Sequence, residues 1–321
     1  MQTVEQTSRK WRWGVNRWLI LLFVILGVIA ARYFPPVLPH IQLPAEVVLH
    51  LGSFEVTNTI FAMLIADLVI LLIALAVRRA ANSGELVPKG FSGAVEALLE
   101  VAYNLTESTA GKWAKNIFPF FAAIMLYVLI VNWMELIPGV DSIGMIEHTE
   151  VPGHAIQELT PGIATITNQE VENGYALVPF VRVLSTDLNF TVGLALTSVI
   201  MTQVFGLRAL GIGYFTKFIN IGGLFSRPVF GIIDFGVGIL ELISEISKIL
   251  SFSFRLFGNI FAGSVLLFVI GTLVPVFAQS IFLMLEFAVG LIQAVVFGML
   301  TMVFMSQATQ GHGDHAEQHA S

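Results

Sequence analysis

Long apolar runs decide the fold class of this 321-residue chain. Ile60 to Val77, Phe118 to Ile137, Leu188 to Leu207 and Ile281 to Ser306 each carry at most one charge. A helix needs about 20 such residues to cross a hydrocarbon core about 30 Å thick. These runs do not alternate, so they read as helices. Only 12% of the residues are charged, about half the share of a soluble domain. The chain is therefore expected to be an all-α polytopic membrane protein. About six transmembrane helices are expected, including a long, strongly tilted C-terminal helical hairpin, plus one amphipathic surface helix. Cysteine is absent, which excludes disulfides, thiolate catalysis and cysteine metal sites.

The amphipathic segment is Phe91 to Trp113, where Val95, Leu98, Leu99, Ala102 and Leu105 recur at helical spacing and Glu96, Glu100 and Glu107 lie elsewhere. At the N-terminus, Arg9, Lys10, Arg12 and Arg17 precede an apolar run from Trp18 to Ala31. A cleaved signal peptide and a retained signal-anchor helix both fit; the length of the run favours the retained helix. Asp141 to Asn173 is acidic, turn-rich and without Lys or Arg, too polar to cross a membrane. Positive charge marks cytoplasmic loops. Arg9 to Arg17, Arg78 to Lys115 and Arg208 to Arg227 are thus expected in the cytoplasm, with the acidic loop outside and the C-terminus inside. The domain reading is a basic segment with anchor and external linker over 1–53, a membrane domain over 54–311 and a polar cytoplasmic tail over 312–321. The membrane domain contains the external loop 140–182 and the hairpin 228–306.

Pro228 to Ile270 runs about 43 positions without an internal proline, or roughly 64 Å of helix, twice the hydrocarbon thickness. It carries Asp234, Glu241, Glu245, Lys248 and Arg255, so it must tilt or lie partly at the surface. At 100° per residue, Glu241, Ser244, Lys248, Ser251 and Asn259 all fall within about 40° of Arg255. Arg255 cannot shed its proton to escape burial, and an intramembrane arginine marks a functional site by default. Glu241 lies about 21 Å away along the axis and Glu245 about 15 Å, so no acid of its own helix reaches it. A solvated surface face is the bland reading of this stripe, but Arg255 and Asn259 lie deep in apolar sequence.

On the last helix Gln279, Glu286 and Gln293 recur every seven residues. Glu286 is the only carboxylate of that span and the best candidate to carry protons. Ser264 lies near 180° from Arg255 and could line a separate cavity between the hairpin helices. Glu135 closes the Phe118 to Ile137 span. Asp187 and Asn189 open the next span from the same side, where Asp187 could merely cap the helix. Asp67 is a lone acid better suited to a structural bond than to transport. His312, His315 and His319 read as a disordered tail rather than a metal site; no metal or cofactor is expected.

Arg255-Leu256-Phe257-Gly258-Asn259, then Phe261-Ala262-Gly263, with Gln293 on the next helix, resembles subunit a of rotary F-type ATP synthases. The resemblance spans about Phe54 to Ser306 and takes in Asn132 to Pro138, Ser185 to Asn189, Glu241, Ser244 and Lys248. It implies a non-catalytic stator subunit of a bacterial inner membrane, with ATP chemistry in other subunits. Its partners are then a ring of c subunits facing Arg255, peripheral-stalk b subunits, the catalytic sector indirectly and the lipid bilayer, with no nucleic acid. It also implies two offset aqueous half-channels: Glu286, Ser264, Asn259 and Gln293, with Glu135, Asp187 and Asn189, on the outer side, and Glu241, Ser244 and Ser251 on the cytoplasmic side. Many relatives carry Glu where this chain has Ser264 and His where it has Glu286. Here the carboxylate sits on the second helix. The N-terminal helix and the acidic loop also depart from the common pattern.

The competing class is a stand-alone ion-coupled secondary transporter or channel. It predicts internal repeats and broken helices; the sequence shows no repeat, and the stripe lies on one helix face. An intramembrane enzyme is weaker still, since there is no Gly-x-Ser-x-Gly elbow and no histidine pair for a metal.

Overall fold

The computed structural model describes residues 18–19, 21–22, 24–29, 44–52, 54–82, 90–137, 139–149, 153–218, 228–273 and 277–310. Arg9 to Arg17, Arg32, Lys89, Arg227, Pro275 and the tail with His312, His315 and His319 lie outside them, as does the side chain of Asp234. Residues 18–19, 21–22 and 24–29, within the run from Trp18 to Ala31, are helical.

A short hairpin, β1 (Val47–Leu51) and β2 (Phe54–Thr57), leads into α1 (Asn58–Asn82). α2 (Phe91–Ala110) and one 3-10 turn (Gly111–Trp113) feed α3 (Ala114–Met134). Four strands follow: β3 (Gly144–His148), β4 (Gly153–Thr160), β5 (Ile163–Val171) and β6 (Tyr175–Pro179). α4 (Leu188–Leu210) runs into a 3-10 segment (Gly211–Lys217), and α5 (Pro228–Leu273) and α6 (Phe277–Ala308) complete the chain. Five helical stretches are long and apolar enough to cross a membrane, with α2 and α3 forming one continuous stretch, Phe91–Met134. This is a multi-pass helical membrane protein.

The helix ends follow elementary capping. α1 carries Arg79 in its last turn, where a cation complements the partial negative charge of a helix C-terminus. Its first residue, Asn58, is tied to Glu46 by the backbone at 3.0 Å and by Nδ2 to Oε2 at 3.2 Å. α5 extends over 46 residues, about 69 Å, and α6 over 32 residues. Both intrude on the turn expected from Thr272 to Ser280, because only Pro275 there opposes a helix.

The acidic segment is the main departure. Instead of an irregular loop it holds the strands β3 to β6, in the order β3-β6-β4-β5. β4 and β5 pair antiparallel, with Ile156 opposite Ile166 and Glu158 opposite Ala164. Gly162 takes φ 87° in the turn, a conformation that favours glycine. Ile163, Thr165, Ile166, Thr167 and Val171 make β5 a β-branched segment, suited to a pleated surface whatever its charge.

The chain divides into two compact units. The smaller takes Met1–His40, Ile146–Ala176 and Val265–Leu285 and includes the β4–β5 pairing. The larger takes Ile41–Met145, Leu177–Ser264 and Glu286–Ser321. In it α3 is the hub. Val128 and Val131 share one buried cluster with Ala62 and Ala66 of α1, Ala195 of α4, Leu256 and Ile260 of α5, and Ala294 and Phe297 of α6. One end of α3, through Ile117, Phe121 and Met125, packs with Ala102 of α2, Phe205 of α4 and Met302 of α6. Lipid is as apolar as leucine, so such packing rests on close approach and polar contacts rather than on a hydrophobic drive. Ala62, Ala66 and Ala294 supply the close approach, and a buried Ser198–Thr301 bond of 2.7 Å supplies glue. The opposite side of α1, with Leu64, Leu68, Leu71 and Leu72, is exposed, as a lipid-facing surface requires.

Candidate functional site

α3 ends at Met134, three residues short of the expected Ile137, which leaves Glu135 at its C-terminal boundary. From α5, Ser264 Oγ donates a hydrogen bond to Glu135 Oε1; the same hydroxyl lies 3.0 Å from Ile260 O. A Cβ built on Gly263 would collide with both carboxylate oxygens of Glu286, so the α6 acid lies directly on the α5 backbone one residue before Ser264. Glu286 is buried. Glu286 and Asp141 are the acids whose charge Glu135 feels. Three residues far apart in sequence, Glu135, Ser264 and Glu286, therefore form one polar group.

Two α3 side chains hold this part of α6 in place. Asn132 Nδ2 donates to Gly290 O at 3.2 Å, and Asn132 Oδ1 accepts from Ser185 Oγ at 2.6 Å. Trp133 donates through Nε1 to Phe287 O at 3.2 Å and stacks on the Phe287 ring, centroids 4.5 Å apart. Gly290 matters here because an added Cβ would stand 3.2 Å from Asn132 Cβ.

Asp187 does cap α4, accepting from Asn189 N at 2.9 Å, and its second oxygen accepts from Thr59 Oγ1 at 3.2 Å. The cap and a link to α1 are thus one residue's two oxygens. Asn189 itself is exposed. Arg182 completes this region. It donates to Thr186 Oγ1 at 3.2 Å and to Pro44 O at 2.9 Å, with Glu46, Asp187 and Asp141 close enough to oppose the effect of its burial. Burial pushes the Asp141 carboxyl up to about 6, and the Arg182 charge acts against that rise. Sequence reasoning passed over Arg182, although it is the one Lys or Arg between Lys115 and Arg208; that isolation was the available signal.

Arg255 is exposed, and Nη2 donates to Ser251 Oγ at 3.4 Å. Among the described residues no acid lies within ion-pairing distance of it. Ser244 and Asn259 are exposed on the same helix, and Glu241 is half-buried. Gln293 on α6 is half-buried, and among the described residues neither it nor Asn259 makes a hydrogen bond. The Glu135 group does not extend to these two side chains.

A second polar group lies near Glu241. Glu245 is buried and accepts from Lys248 Nζ at 2.8 Å, and Lys248 lies 4.7 Å over the Phe304 ring of α6. Tyr214 is within electrostatic reach of Glu245 and Glu241 and donates to Gln203 Oε1 at 2.8 Å. Asp67, expected to make a structural bond, lies close enough to Tyr127 of α3 for its charge to act on the phenol. Among the described residues no three His, Cys, Asp or Glu side chains are grouped to hold a metal.

Comparison with known proteins points one way. A family model described as ATP synthase A chain matches residues 60–306. The chain is 26% identical over 270 residues to ATP synthase subunit a of Moorella thermoacetica, covering 84% of this chain and 98% of that protein. It is 27% identical over 270 residues to ATP synthase subunit a of Mycobacterium tuberculosis, covering 83% and 92%. It is 30% identical over 249 residues to the protein of that name from Acinetobacter baumannii, covering 74% and 76%.

Proposed function

Because the chain belongs to the ATP synthase A chain family, we propose that it is the proton-conducting stator of that enzyme's membrane sector, opposite a rotating ring of c subunits. It carries no ATP chemistry of its own. The observation that carries this reading is Arg255: a fixed cation exposed on an apolar helix with no acid partner among the described residues. The ring supplies the acid. Next to Arg255 a ring carboxylate is held ionised, because an opposite charge within about 4–6 Å favours the charged form. The same fixed charge blocks a proton from passing straight between the two half-channels.

The outer half-channel uses Glu286, Ser264 and Glu135, with Asn259, Gln293, Asp187 and Asn189 along its course. Contact between Ser264 and Glu135, and between Glu286 and the α5 backbone, supports a relay in which Glu286 is the titrating group of the hairpin. The cytoplasmic half-channel uses Glu241, Ser244 and Ser251. A ring carboxylate takes a proton from one path, travels through lipid as a neutral acid, and releases the proton to the other. One charge moved through 100 mV supplies about 2.3 kcal/mol, so several protons are summed for each ATP. The basic segments face the cytoplasm, together with the C-terminus, and the sheet β3–β6 lies outside. Peripheral-stalk b subunits hold the stator against the ring's torque.

Replacing Arg255 with Ala tests this in membranes that hold the whole complex. Proton-driven ATP synthesis is lost, while ATP hydrolysis by detached catalytic subunits persists. Retained coupled synthesis refutes the role.

A further inference from the structure

Two cations share the polar face of α5, and the structure treats them in opposite ways. Lys248 precedes Arg255 by seven residues, two helical turns and about 10 Å, and lies within about 20° of it around the axis. Arg255 is exposed. Lys248 is turned back into the chain, with 21% of its side chain exposed, Nζ on Glu245 Oε1 at 2.8 Å and the Phe304 ring at 4.7 Å. Glu245 is itself buried, 9% exposed at the side chain. It lies about 80° from Arg255 around the helix, off the face on which Arg255 stands.

We propose that Glu245 and Phe304 form a clamp that masks Lys248, so that of the two cations on α5 a passing ring carboxylate meets Arg255 alone. The inference rests on the stator reading above. Every part is built for masking. The carboxylate cancels the ammonium charge, the i, i+3 spacing lets the two meet on one helix, and the ring covers the ammonium from α6 through a cation–π contact. An unmasked Lys248 would hold a ring carboxylate ionised about two turns away from Arg255, where an ionised carboxylate cannot re-enter lipid. The cytoplasmic path then stalls. Glu245 is thus a positioning residue, acting through Lys248, and not a proton carrier.

The test compares purified whole complexes in vesicles, with ATP-driven proton pumping expressed per assembled complex. Glu245→Gln frees Lys248 and slows pumping roughly tenfold. Adding Lys248→Gln restores it to near the unsubstituted rate, and Lys248→Gln alone leaves it unchanged. A role confined to stability would lower the amount of assembled complex and leave the rate of each complex intact. If Glu245→Gln prevents assembly, Phe304→Leu keeps the ion pair but uncovers the ammonium, giving a smaller slowing that Lys248→Gln again relieves. Unchanged pumping in assembled Glu245→Gln and Phe304→Leu complexes overturns the proposal, as does a double variant no faster than Glu245→Gln. Arg255→Ala runs alongside: if it still couples, the stator reading fails, whereas loss of coupling there with no rescue by Lys248→Gln removes the clamp alone.

Discussion

The carboxylate of Glu286 lies flush against Gly263, leaving no room between them for a methyl group. The α6 acid is thereby set one residue from Ser264, which is bonded to Glu135. Gly263→Ala must push Glu286 away, at an overpacking cost of about 1–3 kcal/mol. Passive proton flux through vesicles containing the whole membrane sector should fall to the level of Glu286→Gln. A Gly263→Ala complex that conducts normally would show that the position of Glu286 does not matter, and normal flux in Glu286→Gln would return that residue to a structural role.

Ser264→Ala removes the hydroxyl that Glu135 accepts from, and an unmade hydrogen bond at a desolvated group costs about 1–3 kcal/mol. Serine does not titrate, so the slowing should be milder than for Glu286→Gln. Because Glu135 and Ser264 act as one pair, Ser264→Ala combined with Glu135→Gln should be no slower than Glu135→Gln alone. Additive losses in flux would separate the two residues.

Asn132→Leu breaks the bond to Gly290 O and strands the Ser185 hydroxyl, with an expected loss of about 1–3 kcal/mol. Thermal unfolding of the detergent-purified complex measures it. Ser185→Ala in that background should add little, since its partner is already gone.

Asp141 predicts a pH dependence. Its carboxyl is raised to about 6, first by burial, so the folded state holds the proton more tightly than the unfolded chain does. That contribution is complete below the ordinary aspartate value, near pH 4, and is lost as pH rises through about 6. Asp141→Asn keeps the side chain neutral throughout. The melting temperature of the unsubstituted complex, relative to Asp141→Asn, should therefore decline between about pH 4 and 6 and level off above. A difference that does not change with pH would contradict the assignment.

How much of this was readable beforehand depended on range. The apolar runs sufficed for α1, α3, α4 and α6, because a bilayer-length helix is a local property. The length of α5 also followed, since nothing between Pro228 and Ile270 opposes a helix. β4 and β5 were hidden by their charge: Glu158 and Glu170 mask a β-branched pattern, and the Pro161-Gly162 turn between Leu159 and Ile163 was the hairpin signal. Partners across the fold were not legible. The seven-residue period put Glu286 on a face of its helix but could not say that Gly263 lies opposite, and nothing in Val181-Arg182-Val183 reveals its distant acids. Asp67 showed its oddity in sequence, and only packing supplied Tyr127.

Gly258 follows Arg255 by three residues, and a Cβ built there meets nothing within 4 Å among the described residues. On the stator reading, the body that would press on a larger side chain there is the ring. A graded series from Ala through Val to Leu then makes the position a feeler gauge: the size at which rotation first drags reports the clearance between this helix and the ring.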